Sequence, residues 1–586
     1  MPVLETPGAH HRETAPEGIF IEWDVPVEMD DGTVLRADVF RPADDERHPV
    51  ILSHGPYAKG LSFQKGYPTA WEIMIGNHPD VAAGSTNRFQ SWEVVDPEKW
   101  VREGYTCIRV DSRGAGRSPG YMDLWSPRET QDFAQCIEWA GGQPWCNGKV
   151  GLNGISYYAV NQWQVAALQP AHLAAICVWE GFSDFYREAT RHGGIYSSFL
   201  ENWMPMQVRT VQHGLGGRGG VDPNSGLLIC GDEELTDEAL AANRHDVGTE
   251  FRDQPLLDDT YGRLTPDFDA INVPLLSAAN WGGQGLHLRG NVEGYLQAAS
   301  SAKWLEVHGL EHWSHFYTDY GRELQLRFFD HFLKGADNGW DAQPPVQLNV
   351  RSVDSTFTVR HEQEWPLART AWTRYYLDAA TSSLRSELPA EAGSAGYDTT
   401  GDGLLFSMTV AEQTEITGPL SATLFLESTT TDADLFLVVR VFDPAGEEVV
   451  FHGALDPHTP VAQGWLRASS RRLDPERSEP YRPVHSHDAA EPLEPGSIYQ
   501  LDVEIWPTCV VVPAGWTVAL SVRGKDYVYP GEPARLSNMP KPMTGVGPFL
   551  HDEPLDRVPG VVDATVTLHT GGAKASSLLL PVIPTP

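Results

Sequence analysis

Short apolar segments alternate with amphipathic ones through the first half of the chain. Residues 19–25 and 34–40 flank the turn dipeptide Asp31-Gly32, which predicts an antiparallel hairpin. Later segments have the short, mostly apolar pattern of strands buried on both faces of a sheet; they comprise residues 50–53, 106–111, 150–153, 174–179, 273–278 and 304–307. Helical patterns lie between these strands, the clearest at residues 322–334. The alternation predicts an α/β fold with a doubly wound, mostly parallel sheet.

Two changes in this pattern suggest domain boundaries. Residues 185–266 are rich in Trp, Met, Gly and acidic side chains and lie between two predicted sheet strands, as a helical cap inserted over an active site would. After residue 342, strand-like segments separated by Gly, Pro and Asp predominate, which predicts an all-β sandwich. We therefore predict a catalytic domain of residues 1–184 and 267–342, a helical cap of residues 185–266 and a C-terminal sandwich of residues 343–586.

Length and charge narrow the class of protein. A hydrophobic core stops growing at about 250–300 residues, so a chain of 586 residues should form two or three domains. Lys and Arg total 43 and Asp and Glu total 79, giving a net charge of −36. Such a surface repels phosphate backbones and anionic lipid, so neither a nucleic acid nor a membrane is expected as a partner.

The cysteines and the N-terminus predict a reduced, cytoplasmic protein. The sequence contains 6 cysteines and no C-x-x-C pair, which argues against a disulfide framework and a zinc site. Cys107 and Cys177 lie within apolar segments and are expected to be buried. The first 18 residues lack the basic and apolar regions of a secretory signal.

The segment that ends in Gly154-Ile155-Ser156 carries the clearest chemical signal. A predicted buried strand leads into Gly-x-Ser and then directly into a helical pattern. A small residue two positions before the serine allows a strained turn that raises the serine Oγ above the edge of the sheet. We therefore predict that Ser156 is a nucleophile.

Gly-x-Ser-Tyr resembles the nucleophile elbow of the cocaine-esterase and X-Pro dipeptidyl-peptidase-like (CocE/NonD) α/β-hydrolases, which are related to the α-amino-acid ester hydrolases. Further segments typical of this family follow in the same order: His54-Gly55-Pro56-Tyr57, residues 111–118, Gln143-Pro144-Trp145, residues 332–335, residues 417–420 and residues 464–467. The resemblance implies an α/β-hydrolase domain with a C-terminal jelly-roll domain. It also implies catalysis without a cofactor.

The resemblance implies roles for several residues. The hydroxyl of Tyr57 and the backbone N–H of Tyr157 would form the oxyanion hole. The general base would be a histidine after the last strand of the sheet, where His308 is expected to be structural. A gap-free alignment places this base at His312, whereas the family's Trp-x-His pattern selects His315 but needs a two-residue insertion; we prefer His312.

The acid of the triad is where the sequence departs from the family. The family has Asp in a Trp-x-Asp-Gly pattern after the strand predicted at residues 273–278, but residues 280–285 read Asn-Trp-Gly-Gly-Gln-Gly and contain no carboxylate. Glu180 directly follows the neighbouring strand, at 174–179, and would border the same imidazole. We predict that Glu180 is the acid, with Asp184 as the alternative.

These residues predict a serine hydrolase that cleaves a small-molecule ester or amide through an acyl-enzyme. Trp281 and aromatic residues of the cap suggest a largely apolar substrate pocket. Ala159 stands where amino-acid ester hydrolases often carry an acid, which favours a carboxylesterase over an amino-acid ester hydrolase or an X-Pro dipeptidyl-peptidase. The missing family Asp leaves a catalytically degenerate binding protein as the alternative from another class, and the sequence leaves homo-oligomerisation open.

Overall fold

The computed structural model describes residues 4–536 and 543–584; the outermost limits of the predicted domains, residues 1 and 586, lie outside this part of the chain. The first strands are β1 (His11–Ala15), β2 (Ile19–Glu28), β3 (Val34–Pro42), β4 (His48–Gly55), β5 (Thr106–Asp111), β6 (Cys146–Ile155) and β7 (Leu173–Trp179). The helices among them are α1 (Phe63–Gly66), α2 (Pro68–Asn77), α3 (Pro97–Arg102), α4 (Pro127–Gly141) and α5 (Tyr157–Ala167). Strands β2 and β3 form the predicted antiparallel hairpin.

The chain between β7 and the next strand of the same sheet contains both helices and short strands. Its strands are β8 (Arg191–His192), β9 (Ile195–Tyr196), β10 (Leu215–Val221) and β11 (Leu228–Glu234), paired as two small antiparallel hairpins. Its α-helices are α6 (Phe199–Trp203), α7 (Asp237–Ala242), α8 (Val247–Asp253) and α9 (Asp259–Gly262). The π-helical turns Phe185–Thr190 and Met204–Val208 and the 3₁₀ turns Arg209–Val211 and Phe268–Ala270 complete it.

The first sheet resumes with β12 (Leu275–Asn280), β13 (Lys303–His308), β14 (Val346–Arg351) and β15 (Phe357–Glu362). The helices here are α10 (Leu288–Gln297), α11 (Ser314–Tyr317) and α12 (Asp319–Phe329), with a π-helical turn Asp330–Lys334 and a 3₁₀ turn Trp340–Ala342. Gly335 ends the predicted helix with a left-handed φ of 71°, the conformation that favours glycine at this position.

Eleven strands form this sheet in the order β1-β2-β3-β5-β4-β6-β7-β12-β13-β14-β15. The seven consecutive strands from β5 to β14 are mutually parallel, and the flanking strands are antiparallel. Both faces of β4 are covered, since Val50 and Leu52 pack in one hydrophobic cluster and Ile51 in another. The carboxyl ends of parallel strands meet at one edge, where ligands bind in open α/β sheets.

The remainder of the described chain is an all-β domain built on a second, 12-stranded sheet system. Its strands are β16 (Ala371–Asp378), β17 (Ser383–Arg385), β18 (Gly393–Asp398), β19 (Leu404–Thr409), β20 (Thr414–Ser428), β21 (Asp434–Phe442), β22 (Glu448–Val449), β23 (Ala462–Arg467), β24 (Tyr499–Val512), β25 (Thr517–Arg523), β26 (Thr565–Thr570) and β27 (Ser577–Ile583). A 3₁₀ turn, Ala468–Ser470, follows β23. Leucines and valines from these strands form a separate core.

None of the helices in the described residues is both long enough and apolar enough to span a lipid bilayer.

Candidate active site

Ser156 occupies a strained turn between β6 and α5. Its backbone has φ 57° and ψ −113°, an unusual conformation for a residue other than glycine. The Ser156 N–H donates to the carbonyl oxygens of Trp179 and Glu180, each at 3.1 Å. These bonds hold the turn against the carboxyl end of the neighbouring strand β7.

Gly154 is required by close packing at the same turn. A Cβ placed on Gly154 would lie 2.5 Å from the Cβ of Tyr158 and 3.1 Å from the carbonyl oxygen of Glu93. No side chain fits this space without displacing its neighbours. The glycine therefore lets the strand, the helix and the loop at residue 93 converge beside Ser156.

The Ser156 side chain faces a small cavity at the carboxyl edge of the parallel strands. The cavity has a volume of about 30 Å³. Its lining comes from the insertion after β7, the loops after β12 and β13, the loop at residue 93 and the C-terminal domain. The lining residues are Tyr57, Tyr67, Trp92, Glu93, Ser156, Phe199, Trp203, Gln207, Leu286, His287, His312, Trp313 and Leu455.

The structure brings His312 and Glu180 together. Nδ1 of His312 lies 2.7 Å from Oε2 of Glu180, and both side chains are buried. His312 lies in the loop after β13, and Glu180 directly follows β7 with a positive φ of 49°. A buried carboxylate at Nδ1 fixes the orientation of an imidazole and stabilises its charged form.

A row of alternating carboxylates and imidazoles extends from this pair. His308 lies between Glu306, 2.7 Å from its Nδ1, and Glu180, 3.1 Å from its Nε2. On the other side, Nε2 of His312 lies 3.1 Å from Oε1 of Glu93, which also lines the cavity. Glu180 is thus shared by two imidazoles, and His312 is held between two carboxylates.

The neighbouring charges shift the pKa values along this row. Burial disfavours the ionised Glu180, but the His312 and His308 imidazoles outweigh it and lower the pKa of Glu180 to about 2. Burial likewise disfavours charged His312, yet Glu180 and Glu93 together raise the pKa of His312 to about 10. Burial raises the pKa of Glu93 to about 7 despite the nearby imidazole. The two carboxylates therefore favour the imidazolium form of His312.

The sequence did not reveal a second histidine, His287, that contacts the nucleophile. Its Nε2 lies 3.2 Å from Ser156 Oγ, and its ring is parallel to that of His312 with centroids 5.2 Å apart. Among the described residues, no hydrogen bond joins Ser156 directly to His312. The available signal was a polar residue between Leu286 and Leu288, in the loop where the family resemblance led us to expect the triad acid.

Tyr57 lines the same cavity as Ser156, and Tyr157 directly follows Ser156 in the chain. The Tyr57 hydroxyl accepts a hydrogen bond from Trp203 Nε1 at 3.2 Å. Burial raises the pKa of Tyr57 well above its ordinary value, so the hydroxyl keeps its proton. Tyr157 is the first residue of α5, and the N–H at that position has no acceptor within the helix.

The structure does not place Trp281 in the cavity. Its side chain is fully buried, its indole N–H donates to the carbonyl oxygen of Asn349 at 2.8 Å, and its ring packs against Trp365. The predicted pocket role for Trp281 therefore has no support in this geometry. The loop after β12 turns inward here, so the cavity receives Leu286 and His287 instead.

The alternative base and acid have other contacts. His315 Nδ1 lies 3.5 Å from Thr318 Oγ1, and His315 does not line the cavity. Asp184 caps the π-helical turn Phe185–Thr190 and pairs with Arg187 at 2.7 Å. Neither arrangement brings the alternative residue to Ser156.

The C-terminal domain contacts the catalytic loops through its backbone. The N–H of His312 donates to the carbonyl oxygen of Ala454 at 2.9 Å, and the N–H of Ala454 donates to that of Gly282 at 3.1 Å. A Cβ on Gly282 would lie 2.2 Å from Cα of Gly453. Glycine at this position, in the loop that lacks the family Asp, thus permits the two loops to meet.

Family models match both parts of the chain. The model described as X-Pro dipeptidyl-peptidase (S15 family) matches residues 31–317. The model described as X-Pro dipeptidyl-peptidase C-terminal non-catalytic domain matches residues 338–579. The two matches follow the same order as the two sheet systems.

Individual proteins resemble this chain over almost its full length. The crystal structure of a CocE/NonD family hydrolase from Staphylococcus aureus is 33% identical, covers 96% of this chain and 94% of that protein, and superposes with a TM-score of 0.83. Cocaine esterase of Rhodococcus sp. (strain MB1 Bresler) is 25% identical over 95% of this chain and 98% of its own. An α-amino acid ester hydrolase structure, 15% identical with a TM-score of 0.67 and 97% coverage of both chains, shares the fold.

Proposed function

The chain belongs to the CocE/NonD family of hydrolases, and we propose that it is a serine hydrolase that cleaves carboxylic esters, or amides, through an acyl-enzyme on Ser156. The single observation that carries the assignment is the buried contact of 2.7 Å between Glu180 and His312, whose ring lines the same cavity as the strained serine. A nucleophile, an imidazole and an orienting carboxylate are the parts that this chemistry needs.

His312 is the proposed base because it is the imidazole at the cavity with a carboxylate at Nδ1. Ser156 Oγ attacks the carbonyl carbon while His312 Nε2 takes the serine proton. The Tyr57 hydroxyl and the Tyr157 N–H donate hydrogen bonds to the carbonyl oxygen as it becomes negative. His312 then gives its proton to the leaving group, and a water molecule repeats the sequence to release the acid.

Glu93 must leave the Nε2 atom of His312 before this reaction can begin. Nε2 faces Glu93 at 3.1 Å in the structure, and a protonated, paired imidazole cannot accept the serine proton. Transfer of the Nε2 proton to Glu93, whose pKa burial raises to about 7, and reorientation of the imidazole toward Ser156 Oγ would provide the free base. We infer that substrate entry accompanies this change, since Ser156, Glu93 and His312 line the same small cavity.

The cavity lining favours an apolar ester as the substrate. Phe199, Trp203, Leu286 and Leu455 supply apolar surface around the reactive groups. A second candidate is the ester or peptide of an amino acid, because Glu93 places a buried carboxylate in the cavity where an ammonium group could pair with it. Ala159, buried beneath the elbow, supplies no such charge.

The finer architecture belongs to the same proposal. Residues 185–266 would act as the cap, supplying Phe199, Trp203 and Gln207 to the cavity, and the C-terminal domain would be a jelly roll that braces the catalytic loops. The domain limits remain those predicted, residues 1–184 with 267–342, residues 185–266 and residues 343–586. We expect a cytoplasmic enzyme that uses a small-molecule substrate.

A fluorophosphonate probe and a substrate panel test the proposal. The wild-type protein should be labelled at Ser156 and hydrolyse p-nitrophenyl esters, with aminoacyl anilides measured in parallel to test the second candidate. Ser156→Ala should abolish labelling and leave at most the residual ~10³–10⁴-fold advantage over water that binding and the oxyanion hole provide. Ser301→Ala, at an exposed serine, is the matched control. Unlabelled wild-type protein with no turnover would favour the degenerate binding protein instead.

A further inference from the structure

His287 contacts the nucleophile in a way that differs from His312. Its Nε2 lies 3.2 Å from Ser156 Oγ, and its Nδ1 lies 3.2 Å from the backbone nitrogen of Phe182. No carboxylate within the described residues forms a hydrogen bond with either ring nitrogen. The side chain is buried at the start of α10.

The backbone contact determines which ring nitrogen carries the proton. The Phe182 N–H is a donor, so Nδ1 of His287 must accept and cannot itself be protonated. A neutral imidazole has one N–H, which must then be at Nε2. His287 therefore donates its Nε2–H to Ser156 Oγ and cannot take the serine proton in this tautomer.

The stacked neighbours keep His287 neutral. The Phe182, His287 and His312 rings are nearly parallel, with interplanar angles of 7° and 8°. Burial, together with the charge on His312, lowers the pKa of His287 well below its ordinary value. Whenever His312 carries its positive charge, a second positive charge on a ring 5.2 Å away is disfavoured. His287 then remains a hydrogen-bond donor throughout.

We propose that His287 is a further catalytic residue, a fixed donor that stabilises negative charge on Ser156 Oγ while His312 alone transfers protons. A hydroxyl oxygen has two lone pairs and one O–H, so accepting from His287 leaves the Ser156 O–H free to donate to His312. The inference rests on the proposed function, since it requires Ser156 to be the nucleophile.

The donor would act in both halves of the reaction. In acylation, the O–H bond of Ser156 breaks and its proton goes to His312 as Oγ bonds to the carbonyl carbon; the bond from that carbon to the leaving group then breaks, and the leaving group takes the proton from His312. In deacylation, His312 takes a proton from water as the water oxygen bonds to the acyl carbon; the bond from that carbon to Oγ then breaks, and the electron pair returns to Oγ with the proton from His312. Oγ gains negative charge in each step, and the Nε2–H of His287 keeps its own proton in both.

Two amide substitutions separate a donor from a base. The amide nitrogen of glutamine matches the position of Nε2 and can donate to Ser156 Oγ, but an amide does not accept a proton at neutral pH. The shorter amide of asparagine matches Nδ1 and does not reach Oγ. Both variants therefore carry an amide, and they differ only in whether its nitrogen lies close enough to donate to Ser156 Oγ.

Burst kinetics with a p-nitrophenyl ester give the acylation and deacylation rates of each variant. We expect His287→Gln to retain rates within about tenfold of the wild type, and His287→Asn to lose about 10²-fold in both steps, the usual effect of removing one donor from a developing oxyanion. The acid limb of the pH profile of kcat/KM should have the same pKa in His287→Gln as in the wild type. The reason is that this limb reports the protonation of His312, which the substitution leaves in place. His331→Gln, at a histidine outside the cavity, is the control.

Three outcomes would overturn the assignment. His287→Gln as inactive as Ser156→Ala would make His287 the base. Equal losses in the Gln and Asn variants would indicate a structural role, and wild-type rates in His287→Asn would show that the reaction needs no donor at this position. Failure of the proposed function is recognised separately, because Ser156→Ala would then retain activity and the wild-type protein would not be labelled. Cooperative urea unfolding of each variant, measured alongside, identifies any that do not fold.

Discussion

Three residues that carry the polar chemistry of the site have a strained backbone. Glu93, Ser156 and Glu180 have positive φ values of 62°, 57° and 49°. Each such residue costs of the order of 1–3 kcal/mol and persists only where the surroundings hold it. Here the Ile155 N–H donates to the carbonyl oxygen of Glu93 at 3.0 Å, and the Ser156 N–H donates to that of Glu180 at 3.1 Å. The strained residues thus restrain one another across the end of β6.

Glu180→Gln tests the acid at this scale. The amide keeps the volume but loses the charge that stabilises imidazolium at His312, and it also removes the negative partner of His308. We expect kcat/KM to fall by about 10³–10⁴-fold, the range seen when a triad acid becomes an amide. Asp184→Asn is the matched control, since Asp184 pairs with Arg187 outside the cavity. A Glu180→Gln enzyme within tenfold of the wild type would rule out Glu180 as the acid.

Glu93→Gln tests the second carboxylate through the pH dependence of activity. Burial opposes the charge on His312, and Glu180 and Glu93 raise its pKa to about 10. Removing the charge of Glu93 weakens that stabilisation, so the pKa of His312 falls and its unprotonated form is present at lower pH. The acid limb of the kcat/KM profile should therefore move to lower pH. The expectation is wrong if the acid limb of the kcat/KM profile stays at the wild-type pH. It is also wrong if Glu72→Gln, the control at an exposed residue, shows the same shift.

The nucleophile could be predicted from sequence, whereas two of its neighbours could not. Ser156 lies in a local pattern of strand, glycine, serine and helix, and Glu180 and His312 follow strands that the apolar segments locate. Glu93 and His287 lie in loops without periodicity, more than 190 residues apart along the chain. Only the tertiary fold brings both residues to the cavity, so no local spacing in the sequence predicts their proximity.

At the scale of elements, the parallel strands were predictable because both of their faces are buried. The alternate burial of Val50, Ile51 and Leu52 in two clusters is the physical reason for the continuous apolar pattern of β4. The insertion after β7 was predicted to be helical but also contains the hairpin of β10 and β11. Glycine and charged residues dominate those strands, and such residues have low β-strand propensity. The pairing of β10 with β11 therefore depends on tertiary contacts that the sequence pattern does not predict.

Gly282→Ala tests the meeting of two loops. A Cβ there would lie 2.2 Å from Cα of Gly453, a backbone atom that cannot move alone. The displaced loop includes Ala454, whose carbonyl oxygen accepts the N–H of His312. We expect a loss of kcat of about tenfold or more and a lower midpoint of thermal unfolding. Gly262→Ala should change neither, because a Cβ there meets nothing within 4 Å; wild-type behaviour of Gly282→Ala would show that the loop adapts freely.

At the scale of the whole molecule, a buried ion network joins the insertion to the C-terminal domain. Asp556 lies 2.6 Å from Arg191 and 2.8 Å from Arg467, and Arg467 also pairs with Asp434 at 2.8 Å. The side chain of Arg191 is fully buried. Removing one partner of a buried ion pair leaves an uncompensated charge, which is strongly destabilising.

Asp556→Asn tests this network through stability. We expect the free energy of unfolding at pH 7 to fall by about 3–5 kcal/mol, measured by urea denaturation and compared with the exposed-residue control Asp563→Asn. Burial alone would raise the pKa of Asp556, but Arg467 and Arg191 lower it below its ordinary value. A lowered carboxyl pKa stabilises the fold above the unfolded value of about 4. That contribution is lost as pH falls through the folded pKa, so the gap between wild type and variant should narrow in acid; a constant gap would contradict the assignment.

The contact between Ala454 and the loops at Gly282 and His312 also bears on how this protein can be recombined with its relatives. The contacting loop is closed at its base by the paired backbones of Phe451 and Thr459. A chimaera with a crossover at the start of the all-β domain would set a foreign loop against the native imidazole. Transplanting the short loop together with the catalytic half would keep its hydrogen bonds intact. A chimaera should therefore keep this loop with the catalytic half. A single crossover at the boundary between the two sheets does not do so.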